Sequence, residues 1–167
     1  TTHEEAIERL KKRMEVGDAY AFHLMGCYYD RGEYGLPQDR AKAVELWHKA
    51  GKVAYTNIGH AYSNGEGLEK DANMAKHYFE LAAMEGDSYA RHNLGGSIKN
   101  AGNYDRALKH YMIAVRGGDT DSVKEIQRMY MNGHVAKDHY ANALRSHQAY
   151  LNEIKSPQRD EAAERHK

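Results

Sequence analysis

Eleven histidines and one cysteine, Cys27, are the residues of this 167-residue chain with the most obvious capacity for chemistry. Two histidines on one helical face need the spacing His-x-x-x-His, and a zinc protease helix needs His-Glu-x-x-His. Neither pattern occurs, so the histidines read as scattered surface residues and no metal site is expected. A lone cysteine excludes both an intrachain disulfide and a cysteine-rich zinc site. No activating base adjoins Cys27 in sequence, so it reads first as a small packing residue that could also reach an inner surface. Gly65-Glu66-Gly67 lacks the third glycine, the preceding strand and the Lys-Ser/Thr of a phosphate loop. No acid, base or nucleophile converges, so no enzyme and no cofactor is expected.

Composition narrows the classes further. Lysine and arginine number 24 against 24 acidic residues, which argues against nucleic acid, since phosphate contacts need a basic excess. No run of 18 apolar residues and no leading apolar segment occurs, so no direct membrane insertion is expected. A cytoplasmic or other reducing soluble compartment is the simplest expectation. Two prolines and abundant Ala, Leu, Glu and Lys favour helix. Thirteen tyrosines against two phenylalanines suit helix seams that reach the surface, with a packed ring and a wet hydroxyl.

Two signatures recur along the chain. The first is apolar-Gly-x-x-aromatic or aliphatic: Met25-Gly26…Tyr29, Ile58-Gly59…Tyr62 and Leu94-Gly95…Ile98, with Ile126-Gln127…Tyr130 as a copy that has lost its glycine. The second is Ala-x-x-x-ring: Ala43…Trp47…Ala50, Ala75…Phe79…Ala82, Ala107…Tyr111…Ala114 and Ala143…His147…Tyr150. Spacings of three, four and seven put each set on one helical face. A mid-helix glycine costs roughly 1 kcal/mol against alanine, so its repetition needs a packing reason. Small residues let two antiparallel helices approach, and the ring one turn away fills the space beside them. Each signature thus marks one helix of a hairpin: A carries the glycine, B the ring.

The connectors repeat too. Gly32-Glu-Tyr-Gly-Leu-Pro-Gln-Asp39, Gly65-Glu-Gly-Leu-Glu-Lys-Asp71 and the shorter Gly133-His-Val-Ala-Lys-Asp138 end helix A on glycine and open helix B on a capping aspartate. Gly17-Asp18, Gly86-Asp87 and Gly118-Asp119 do the same between hairpins, and Ala101-Gly102-Asn103 is a tight turn. These patterns together resemble the Sel-1-like repeats, relatives of the tetratricopeptide repeats. The resemblance implies an all-α, right-handed α-solenoid of helix-turn-helix repeats with about nine helices. Its expected extent is 4–154: an orphan helix B at 4–16, then hairpins at 18–50, 53–85, 88–116 and 120–154. The charged tail 155–167 is expected to fray, with Pro157 interrupting the last helix.

One interval is short. Ala75 to Ala90 and Ala107 to Ser122 are 15 residues apart, but Ala43 to Ala54 only 11. Either the junction at Gly51-Lys52 is unusually tight or the sequence closes over a missing segment. The second is favoured, because a one-turn deletion would rotate downstream packing by about 40°.

The resemblance implies that helix A lines a concave face and that the array binds other proteins without catalysis. Its expected contact stripe is Tyr20, His23, Cys27, Thr56, His60, Ser63, His92, Lys99, Lys124 and Arg128, with Asp30, Asn64, Asn100 and Met131 at its margins. The stripe drifts from neutral to basic, which predicts a peptide or helix segment with an acidic end over Lys99, Lys124 and Arg128. The expected seam residues are Gly26, Tyr29, Ala43, Trp47, Gly59, Tyr62, Ala75, Phe79, Gly95, Ala107, Tyr111, Tyr130 and Ala143. Family members also occur as subunits of ubiquitin ligases, joined to RING modules, which is the alternative reading. RNA binding is disfavoured by the charge balance. The penicillin-binding chemistry linked to cysteine-rich relatives would need Ser-x-x-Lys, and no serine here has lysine three residues on.

Overall fold

The structure is a computed structural model that describes residues 2–164, with side chains described to residue 154. Among the described residues it has nine α-helices, one short 3₁₀ turn and no strand. Helix α1 (His3–Glu15) is followed by α2 (Ala19–Arg31) and α3 (Arg40–Ala50), the 3₁₀ turn Gly51–Ala54, then α4 (Tyr55–Asn64) and α5 (Ala72–Met84). After these come α6 (Ser88–Asn100), α7 (Tyr104–Arg116), α8 (Thr120–Met131) and α9 (Lys137–Glu164). The chain divides into two compact units, Thr1–Glu85 and Gly86–Lys167.

Local chemistry sets most helix starts. Asp18, Asp39, Asp71, Asp87 and Asp119 each accept backbone N–H bonds from the first turn of the helix they precede. Asn103 does this for α7, and Thr2 with Glu5 forms a capping box at α1. Each cap contributes about 1 kcal/mol. Asp138, expected to cap the last helix, lies instead inside the first turn of α9, which begins one residue earlier at Lys137.

The junction near Gly51 takes its tight form. Helix α3 stops at Gly51, whose φ of 64° and ψ of −134° break the helix, a backbone state that glycine adopts at little cost. The 3₁₀ turn then leads straight into α4, which has no side-chain cap and is three residues shorter than α2 or α6. The missing turn is thus the capping turn of helix A. It falls outside continuous helix, so it leaves the helical phase of α4 intact: Ala54 is as fully buried as Ala21, Ala90 and Ser122 at the same repeat position. The given residues thus join α3 to α4 through a 3₁₀ turn in place of a capped helix start. Helix α9 likewise differs from expectation, since its backbone stays helical past Pro157 to Glu164, where Glu161, Ala162, Ala163 and Glu164 are strong helix formers. The remainder of the expected tail, 165–167, lies outside the described residues.

Within the first unit, Ile7, Leu10, Ala21, Met25 and Leu46 pack α1 onto the first hairpin, and Cys27, Trp47, Ile58 and their neighbours continue the core through α4. Within the second, Leu108, Tyr111, Val115, Val123, Ile126 and Met129 form one cluster closed by Val135 and Ala143.

Candidate protein-interaction surface

The seam that positions the surface is built from glycine against a ring. A β-carbon on Gly26 would lie 2.6 Å from the Trp47 indole, one on Gly59 2.8 Å from Phe79, and one on Gly95 2.8 Å from Tyr111. Real side chains do not approach so closely, so these glycines are fixed by helix approach. Ala43, Ala75 and Ala107 are buried on the ring-bearing helices, as is Ala143 in the fourth hairpin, and burial pushes the Tyr111 phenol well above its usual range. Tyr29 and Tyr62 are half-buried, with Lys42 over the Tyr29 ring and Tyr78 stacked on Tyr62. The fourth hairpin departs from this. Gln127 stands exposed, His147 bonds Thr120 (3.2 Å), and Tyr130 is a surface ring stacked on Tyr140.

The helix-A residues expected to meet a partner divide into four groups, the last being the basic end. Tyr20 is exposed, while Thr56, His60 and Ser63 are half-buried, with the His60 ring edge-on to Phe79. His23 and His92 turn toward the next repeat. His23 Nε2 lies 3.1 Å from Asn57 Oδ1, and His92 Nδ1 lies 2.9 Å from Ser122 Oγ and 3.2 Å from Asp119 Oδ2. These two side chains link consecutive helices A. Cys27 is not on the surface: it is buried beside Trp47 and Ala43, with His23 3.7 Å from its sulfur, and burial pushes its thiol up.

The cations at the basic end of the stripe are already paired within the chain. Lys99 Nζ is 2.6 Å from Glu125 Oε2, Arg128 pairs with the other Glu125 oxygen, and Lys124 Nζ is 2.7 Å from Asp121. Burial works against the Glu125 charge, but the hydrogen bonds and charges of Lys99 and Arg128 outweigh it and hold its carboxyl below the usual range. Lys124 does the same for exposed Asp121. The acidic partner end expected over these three cations therefore meets charges that carry in-chain carboxylates.

Sequence reasoning missed Asn57, Asp119, Asp121, Ser122 and Glu125 as the partners of these side chains. It also missed Val53 and Tyr89. Aligning the buried Ala21, Ala54 and Ala90 places Tyr20, Val53 and Tyr89 at one repeat position, and they are 53%, 45% and 46% exposed. In the fourth repeat this position is Asp121. The repeat alignment itself carried that signal.

A family profile described as the Sel1 repeat matches residues 19–52, 52–87 and 88–119. The chain belongs to the Sel1 repeat family. A Sel1 repeat protein from Oxalobacter formigenes has the same fold, with a TM-score of 0.75 at 28% identity over 89% of this chain and 64% of that one. The c5321 antigen of uropathogenic Escherichia coli, which displays an SLR fold, matches with a TM-score of 0.73 at 25% identity over 88% of this chain and 33% of its own. Among curated relatives, the Arabidopsis thaliana ERAD-associated E3 ubiquitin-protein ligase component HRD3B is 34% identical over 93 residues. The putative sel1-like repeat-containing protein L21 of Acanthamoeba polyphaga mimivirus is 30% identical over 66. The matches cover 55% and 40% of this chain but only 15% and 12% of those proteins.

Sel1 repeats form a non-catalytic scaffold fold that generally mediates protein–protein interaction. His92, Asp119 and Ser122 superficially match a hydrolase trio, but Ser122 is fully buried and both partners share one ring nitrogen. A nucleophilic serine needs the ring nitrogen opposite the one its carboxylate holds. Among the described residues no group of three or more His, Cys, Asp or Glu could hold a metal ion, and no helix is long and apolar enough to cross a membrane.

Proposed function

We propose that this Sel1 array binds other protein through the helix-A side of its repeats, with Tyr20 and Val53 as apolar contacts of the first unit, Thr56, His60 and Ser63 beside them, and Tyr89 as the apolar contact of the second unit. One observation carries the reading: the same repeat position is a large apolar residue and about half exposed three times in succession. Packing fixes Gly26, Gly59 and Gly95 in every such repeat, but nothing in the seam requires Tyr20, Val53 or Tyr89 to be apolar. Exposed aromatic rings flanked by hydroxyl and imidazole groups are typical of surfaces that bind protein, because each ring brings large contact area at small entropic cost.

The test is affinity purification with quantitative mass spectrometry, comparing wild type with the Tyr20→Ala/Val53→Ala/Tyr89→Ala variant and with Lys124→Ala. The triple variant loses the specifically captured proteins, and Lys124→Ala retains them. An unchanged set on the triple variant rejects this surface. A second reading comes from the 34% identity to the ERAD ligase component: the partner is then another member of a ubiquitin-ligase complex, and ubiquitin-ligase activity co-purifies with wild type but not with the triple variant.

A further inference from the structure

Among the described residues, the helix-B surface of the second unit that combines an apolar floor with uncommitted cations lies along α7. A groove of about 650 Å³ opens beside it at the start of α9. Leu108 and Met112 form the floor, both packed on the core of the unit, and Ile113 stands 44% exposed at the edge. Lys109 and Arg116 form the rim and are solvent-exposed. Among the described residues, neither has an ion pair or side-chain hydrogen bond. That sets them apart from Lys99, Lys124 and Arg128, whose charges are consumed within the chain.

The spacing selects an occupant. Lys109, Met112, Ile113 and Arg116 obey the i, i+3, i+4, i+7 rule, so cation, apolar pair and cation form one stripe. Seven residues of helix rise about 10.5 Å. A partner helix lying along α7 presents two carboxylates seven residues apart at that same separation, with two apolar side chains between them. An extended peptide does not, because its same-face residues recur about every 6.8 Å. Asp105, one turn before Lys109, is the only carboxylate among the groove's lining residues. It repels acidic residues at that end and so fixes where the partner's acidic stripe stops.

We infer that the α7 groove is a second docking site, for an amphipathic helix whose apolar face is bracketed by acidic residues two turns apart. The site is independent of the helix-A face. It places an acidic partner on the helix-B side of the repeats, where the cations are available.

Fluorescence anisotropy tests it with a labelled helical peptide carrying two glutamates seven residues apart and a Leu-Leu pair midway between them. Wild type binds this peptide, and binding weakens as salt rises. The Lys109→Glu/Arg116→Glu variant binds it at least about tenfold more weakly and gains affinity for the peptide in which lysines replace the glutamates. Ile113→Ser weakens binding without that charge swap. Both cations are exposed, so a circular-dichroism melt of the variant should match wild type within about 2 °C. Tyr20→Ala/Val53→Ala/Tyr89→Ala binds the peptide as wild type does, so this inference and the helix-A reading fail separately. The site is overturned if wild type does not bind the acidic peptide, binds the lysine peptide equally well, or keeps its affinity after charge reversal. It is also overturned if the groove takes laurate in preference to the peptide, which would mark it as a lipid pocket.

Discussion

Hairpins one to three and hairpin four are copies of one unit that differ in their seam and in their surface. In the first three, glycine meets a large ring: Gly26 with Trp47, Gly59 with Phe79, Gly95 with Tyr111. Tyr20 and Tyr89 in the first turns of α2 and α6, and Val53 in the 3₁₀ turn before α4, face solvent. The fourth has exposed Gln127 for the glycine, His147 for the ring and Asp121 for the surface residue. Its helix A instead supplies Asp119, Ser122 and Glu125 to hold His92 and Lys99 of the third. The fourth copy thus lacks the glycine–ring seam and the exposed apolar residue, and polar links tie its helix A to the third. In the proposed reading the surface of the first three copies binds a partner and that of the fourth does not.

The largest effect that would break this comparison lies in the seam. Gly59→Val and Gly95→Val should each lower stability by about 3 kcal/mol through overpacking against the ring. Gln127→Val, at the same position of the fourth helix A, should stay within about 0.5 kcal/mol. Urea denaturation of the three variants decides it, and equal losses would mean the fourth seam is as tight as the others.

Glu125 comes next. Glu125→Gln should lower stability at pH 7 by about 1–3 kcal/mol, because Lys99 and Arg128 lose their shared counter-charge. The sign with pH is set by its depressed carboxyl. The contribution is fully present above the unfolded value of about 4.3 and is lost as pH falls through the lower folded value. Wild type and variant should therefore converge in acid. A difference that persists at low pH would mean the carboxylate acts through shape and not charge. Asn57→Ala removes the matching link in the first unit and should cost about 1 kcal/mol.

Smaller still is Asp121→Asn. Its carboxyl is held low by Lys124, but the pair is fully solvated, so the melting temperature at moderate salt should be unchanged. A clear shift would show that the charged surface of the fourth repeat supports the fold.

The seam was legible in sequence because its signals are local. Gly26 and Tyr29, or Ala43 and Trp47, lie within one turn and repeat, so spacing alone assigns them to faces. The surface was less legible because its bonds are not local. Asn57 answers His23 from 34 residues away, and Glu125 answers Lys99 from 26. Only an alignment of successive repeats brings such pairs together, and reading each helix singly left the three cations looking free. Cys27 misled for another reason. Its repeat position holds His60, Gly96 and Arg128 elsewhere, so no residue type marks it as buried, and the depth of the Trp47 indole decides. The short junction at Gly51 was visible as a deficit, but a count of residues could not show that a capping turn was the part removed.

The most direct test of the central claim is site-specific photocrosslinking at one repeat position in hairpins of both kinds. A benzophenone side chain replaces Tyr20, Tyr89 or Asp121 in turn, and adducts formed in cells of origin are compared by mass spectrometry. A partner-binding helix-A face confined to the first three hairpins predicts the same protein adduct from positions 20 and 89 and none from position 121. Equal adducts from all three positions, or an adduct from position 121 alone, would contradict it.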